Sequence, residues 1–351
     1  MTQYYSNATT TDFNVLSGWG INTDGTGANP AQFATHDFTQ KHAKTLSAAV
    51  SVNGFKLDSG FTLTGAGFKI TTTGELGGRA IYLDGTVSGF LDLEIQTNTT
   101  TIVNAGSKAR DITINHTDCI ALWEGNHTFR NITVTLGKFE PETGITDTLT
   151  ATGDVSVTET LGIATWTGAA TFGSLTINSG GTYNATSGTT TIKSATGTSS
   201  NTLSNSGTFT HNNGKLYFDL SVANGDGYHN ILNSSTAGLH TFYDFEIKCD
   251  AEYVAMMKSI EVLGNYTVSG ANAIRYESGN NTKTIIVHGL ATTSNGQLGS
   301  ADTTGLDTTI PLEKRGWQFL GGLDVTGGTL KLGSNQTVKV SGLRNIGGTI
   351  T

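Results

Sequence analysis

Asp92-Leu93-Glu94-Ile95, Asp111-Ile112-Thr113-Ile114 and Asn131-Ile132-Thr133-Val134 repeat one pattern at steps of 19 and 20 residues. Each opens on a short Asx side chain, spaces its apolar residues two apart and ends on a β-branched residue, so each reads as a strand with one inward face. A coil of roughly 20 residues is too short to bury its own apolar row and has to stack on copies of itself. The expected fold is therefore all-β, a parallel β-helix or β-solenoid. Its rungs would superpose Asp92, Asp111 and Asn131 as a ladder.

Composition agrees with repeated bending. The 351 residues include 46 glycines but only 3 prolines, and 14% are charged. Glycine supplies corners with positive φ, while Thr, Val and Ile suit the pleated segments between them. Three segments are expected. Residues 1–45 are polar and aromatic and form an N-terminal capping or attachment segment, with Tyr4, Tyr5, Trp19, Phe33 and Phe38 as candidate anchors. Residues 46–136 hold the short rungs, and 137–351 hold further solenoid or β-rich repeats with related copies near 126–157, 239–268 and 316–338. His127-Thr128-Phe129 recurs as His240-Thr241-Phe242, and Gly153-Asp154-Val155-Ser156-Val157 as Gly264-Asn265-Tyr266-Thr267-Val268. Residues 251–263 space Val254, Met257 and Ile260 as a helix would, but their place in the repeat favours strand.

The net charge of −8 and the absence of any long Lys/Arg run disfavour nucleic acid as a partner. No apolar run is long enough to cross a membrane, and residues 1–13 lack an export signal, which sets the expectation of no membrane insertion. Cys119 and Cys249 read as buried apolar residues rather than a bridge. His116 with Asp118 and Cys119 is the densest metal-like group, yet the adjacent Asp118 and Cys119 face opposite ways on a strand, so no metal and no cofactor is expected. The loops Asn22-Thr23-Asp24-Gly25 and Asn224-Gly225-Asp226-Gly227 read as tight turns rather than calcium sites. His127 and His240 read as structural caps, Glu140 and Glu142 around Pro141 as a solvated loop, and Arg110 and Arg130 as partners of the ladder acids. No catalytic acid pair stands out, so no enzymatic activity is expected. Among the aromatics, Trp123, Trp166, Trp317, Tyr217 and Tyr243 suit the core, and Tyr183 and Tyr228 are the candidates for glycan contact, within the Gly/Ser/Thr/Asn-rich stretch 158–238.

The rungs, together with the turns Gly180-Gly181-Thr182-Tyr183 and Gly327-Gly328-Thr329-Leu330, give the chain a texture that resembles the β-helical structural proteins of tailed bacteriophages: tail fibres, tailspikes and related virion appendages or decorations. The resemblance implies a homotrimer or other homo-oligomer, bound to other virion proteins by its N-terminal part and possessing a distal surface for host polysaccharide. It also implies location in the virion after synthesis in the host cytoplasm. The alternatives are a polysaccharide-cleaving β-helix enzyme and a bacterial surface adhesin, which shares such rungs but needs an anchor or export route.

Overall fold

Alternation of one apolar and one polar residue forces an extended chain to hide one face, and here that face is hidden by parallel neighbours one rung away. The computed structural model describes residues 1–142, 146–194, 201–223, 227–233, 238–276, 281–294, 297–300, 305–306, 314–331, 337–345 and 347–351. The chain is a parallel β-solenoid. It divides into two compact units, one of residues 1–152 with 156–163, the other of 153–155 with 164–351.

In the first unit the expected register is the one observed. Asp92 pairs with Asp111 and Asp111 with Asn131, carrying Leu93, Ile112 and Ile132 into one column. Val50 and Ile70 extend that column backwards, and all five side chains are buried. A second ladder runs through Asp37–Gln40, Phe55–Leu57, Arg79–Leu83 and Thr100–Asn104, and a third through Lys44–Thr45, Thr62–Thr64 and Thr86–Ser88. Each rung thus turns through up to three strands.

Aromatic side chains close the N-terminal part of this unit. Trp19 is fully buried, with ring centroids 4.8 Å from Phe13 and 5.0 Å from Phe38, and its Nε1 donates to the Phe13 carbonyl at 2.9 Å. Phe13 in turn meets Phe55 of the first regular rung at 5.5 Å. The anchor expectation is corrected accordingly: Trp19 and Phe38 are buried and Tyr4 nearly so, because their apolar area covers the first rung. Tyr5 and Phe33 are half-buried, and Lys41 Nζ lies 5.1 Å from the Tyr5 ring centre.

The second unit repeats the principle. One ladder stacks Leu216, Phe245, Tyr266, Ala291 and Leu323 in register. Another stacks His240, Ile260, Ile285 and Trp317, so two of the related copies read from sequence, His240-Thr241-Phe242 and Trp317-Gln318-Phe319, occupy one column. Residues 251–263 form two strands, Tyr253–Met256 and Ser259–Val262. Their helical spacing is overruled by ladder pairing on both sides.

Cys119 and Cys249 are free and buried, and burial pushes both thiols up to about 12. Neither is expected to react with iodoacetamide at pH 8 in the folded chain, and both should react in denaturant; mass spectrometry of the alkylated protein checks this.

Candidate functional site

The acid ladder is closed by its arginines. Arg110 grips Asp92 through Nε at 2.8 Å and Nη2, and Arg130 grips Asp111 through Nε at 3.0 Å and Nη2. Arg344 holds Asp324 of the second unit in the same fork. Each arginine comes from the following rung and neutralises an acid of the rung before it. Two parallel N–H···O bonds fix such a pair geometrically, although solvent screening leaves an exposed pair contributing little to stability.

Two residues beyond Asp92, Glu94 accepts from Lys69, Gln96 and Asn115, the last at 2.9 Å. Burial is the largest single influence on its carboxyl and pushes it up, but those three hydrogen bonds together carry it below the ordinary carboxylate value. The second unit repeats this tile. Asp244 pairs in register with Lys215, Lys215 Nζ meets Glu246 Oε2 at 2.8 Å, and the three border a groove of 150 Å³. The sequence signal was present, since Asp244-Phe245-Glu246-Ile247 copies Asp92-Leu93-Glu94-Ile95. A lysine and two acids recurring in both units is a fastening between rungs.

His127 is buried, accepts the Ala105 N–H on Nε2 at 3.1 Å and donates from Nδ1 to the Gly125 carbonyl at 3.0 Å. Burial, the largest influence, lowers its pKa from the ordinary histidine value. Protonation would place a hydrogen on Nε2, where the Ala105 donor already sits. A lowered folded pKa means the unfolded chain binds more protons, so this contribution is complete above about pH 6.5 and is lost as pH falls through the folded value. The unfolding midpoint should therefore drop between pH 7.5 and 5.5, and His127→Gln should flatten that drop when both proteins are melted across the range.

Other readings from sequence divide. His116 is half-buried, Asp118 exposed and Cys119 buried, on an outward excursion of the strand Asp111–Trp123. Among the described residues no three His, Cys, Asp or Glu side chains cluster as a metal site. Asn22 to Gly25 is a tight turn, with Gly25 N–H donating to the Asn22 carbonyl at 2.8 Å, whereas residues 224–226 of the other loop lie outside the described residues. Glu140 and Pro141 are corrected from loop to strand, within Asn131–Pro141, and burial raises the Glu140 carboxyl.

Tyr183 is also corrected. It is fully buried, its hydroxyl 3.0 Å from Thr190 Oγ1 and its ring edge-on to Phe172 and Phe209, so it fills core and presents nothing to a glycan. Trp123, Trp166 and Trp317 are likewise core. Tyr228 is half-buried and stacks on Tyr253, one rung on, with centroids 5.6 Å apart.

The stretch 158–238, marked from sequence for adaptable loops, supplies one wall of a cleft at a break in the ladder, and Leu239–Phe242 just beyond it supplies the other. Thr208–Thr210 pairs back to Thr182–Asn184 and Leu239–Phe242 pairs on to Ser259–Val262, but the two belong to separate sheets. Phe209 and Phe242 still touch, at 5.1 Å between centroids, and form its apolar lining. A cleft of 310 Å³ opens between the strands, with Asn205, Thr208, His211, His240 and Thr241 supplying polar groups. His211 stacks on Tyr243 at 5.9 Å. That volume is at the lower end of small-molecule sites, roughly 300–1,000 Å³. Alternation alone gives no notice of where a ladder opens, so sequence reading named the stretch and missed Asn205, Thr208 and His211.

No family model matches this chain, and neither a curated protein nor a solved structure matches it. The architecture is one that structural proteins and enzymes both use.

Proposed function

We propose that the chain is a structural component of a phage virion, a homo-oligomeric tail fibre, appendage or decoration protein, which contacts host surface glycan through the cleft between Thr208–Thr210 and Leu239–Phe242. The observation that carries the reading is the pairing of two features in one solenoid. Its outward acids are fastened rung to rung by Arg110, Arg130, Lys69 and Lys215, as rigidity requires. Between Thr208–Thr210 and Leu239–Phe242 the ladder is left unzipped, with Phe209, His211 and hydroxyl and amide groups beside the opening. Pyranose rings are bound by such a combination of an aromatic surface and short polar side chains.

Two measurements test it. Light scattering after size exclusion is expected to give a homo-oligomer, and the intact protein is expected to bind purified host-surface polysaccharide. Thr208→Trp, at an exposed position on the cleft rim, should reduce that binding at least about tenfold without moving the melting temperature. A monomer, or polysaccharide binding indifferent to Thr208→Trp, would overturn the respective half of the reading.

A further inference from the structure

We propose that Ser194, His229 and Glu252 form an acyl-transfer centre that hydrolyses short O-acyl esters, an activity beyond glycan recognition. His229 lies on the inward side of the strand Tyr228–Ile231 and is 0% exposed. Its Nδ1 stands 3.1 Å from Ser194 Oγ, and its Nε2 faces Glu252 Oε2 at 3.5 Å. Glu252 immediately precedes the strand Tyr253–Met256, which pairs with Tyr228–Ile231 in register, and its other oxygen accepts the Gly227 N–H at 3.1 Å. Ladder pairing thus fixes the spacing between the acid and the imidazole. Hydroxyl, imidazole and carboxylate in that order are the parts of a serine nucleophile with its base and its orienting acid, a constellation recognised by geometry and not by chain order.

Two further features fit the assignment. The burial is graded as such a relay needs: Ser194 is half-buried, the imidazole is fully enclosed, and the Glu252 side chain is 11% exposed. Ser194 also sits just past the end of the strand Thr189–Ile192 with φ +62°, a left-handed conformation that costs a non-glycine residue about 1–3 kcal/mol and is found where a side chain has to be presented. Burial, opposed by Glu252, lowers the His229 pKa, which leaves the ring neutral at pH 7 and Nδ1 able to accept a proton. Other polar clusters are engaged differently: Glu94 is held by three donors, and the Cys119 and Cys249 thiols are buried.

The chemistry balances without any other reactant than water. Ser194 Oγ bonds to the ester carbonyl carbon as its proton moves to His229 Nδ1. The carbon–oxygen bond to the alcohol then breaks, and the alcohol leaves with that proton. Water attacks the acyl-serine, giving one proton to Nδ1, and the acid departs as Ser194 Oγ regains it. Glu252 faces the imidazolium at Nε2 and holds the ring in place.

The test uses the intact chain, p-nitrophenyl acetate and a fluorophosphonate probe, neither of which requires glycan recognition, so failure here and failure of the cleft reading are separable. The folded protein is expected to be labelled at Ser194 by mass spectrometry. Ser194→Ala should abolish labelling there and lower ester hydrolysis at least about 100-fold, and Glu252→Gln should fall between it and the unaltered protein. Ser194→Ala takes a hydrogen-bond partner from the enclosed imidazole, so a modest drop in melting temperature is expected, and both assays are read well below it on protein shown to be folded. Absence of label on Ser194, or hydrolysis by Ser194→Ala at the unaltered rate, would overturn the proposal.

Discussion

Trp19→Ala is expected to cost about 3–5 kcal/mol, the range for emptying a large aromatic site in a well-packed core. The indole touches Phe13, Phe38 and, at 6.5 Å between centroids, Phe33. Its Nε1 holds the Phe13 carbonyl, and Lys44 Nζ lies 5.7 Å from its ring centre. Lys44 is itself buried and ties the Asn7 carbonyl at 3.0 Å, so the indole and this lysine fasten the same loop. In a solenoid each rung leans chiefly on its neighbours, so the damage should begin locally. Hydrogen exchange should rise first across residues 1–45 and then in Phe55–Leu57, while Asn131–Pro141 stays protected. Loss of the cap bares strand edges, and light scattering should then report species larger than those the unaltered protein forms. Equal exchange at all rungs would show that the cap contributes nothing special.

Gly137→Ala is the second large effect, expected at about 2–4 kcal/mol. Gly137 has φ +82° and lies where the strand Asn131–Pro141 passes beneath the outward excursion of its neighbour. There Asn115 pairs with Leu136 and Ile120 with Lys138, so residues 116–119 stand opposite a single residue. A Cβ at 137 would come within 2.5 Å of both the His116 and Cys119 carbonyl oxygens. Those are backbone atoms and cannot rotate away. Gly125→Ala is the control, because Gly125 also has positive φ, +80°, but a Cβ there meets nothing within 4 Å. The difference in unfolding free energy between the two variants isolates the close approach from the dihedral cost. A Gly137→Ala protein no less stable than Gly125→Ala would refute this account.

The rungs were legible because their signal is redundant: an Asx start, two apolar residues at spacing two, and the same phase in three successive turns. The phase of short strands was legible too, although it has to be read from the right neighbour. In Thr182-Tyr183-Asn184 the polar flanks face out and place Tyr183 inside with Ala185. In Tyr228-His229-Asn230-Ile231, Ile231 sets the inward phase, which puts His229 inside and leaves Tyr228 out. Treating both tyrosines alike overlooked that parity. The N-terminal segment has no such periodicity, so composition could show that its aromatics mattered but not that Trp19 and Phe38 turn inward while Tyr5 stays at the surface. Long-range geometry was out of reach. Ser194, His229 and Glu252 come from three successive rungs, and only the ladder that joins them sets their spacing.

The one-rung offset of the arginine forks bears on how such a molecule could change length. The turn that begins at Arg110 brings the cation for Asp92 of the turn before and offers Asp111 to Arg130 of the turn after. Duplicating or excising a whole turn at this place would therefore leave no stranded charge at the new junction. The segment is divisible at the turn, and its extent can drift by whole repeats while its lateral surface keeps the same electrical pattern.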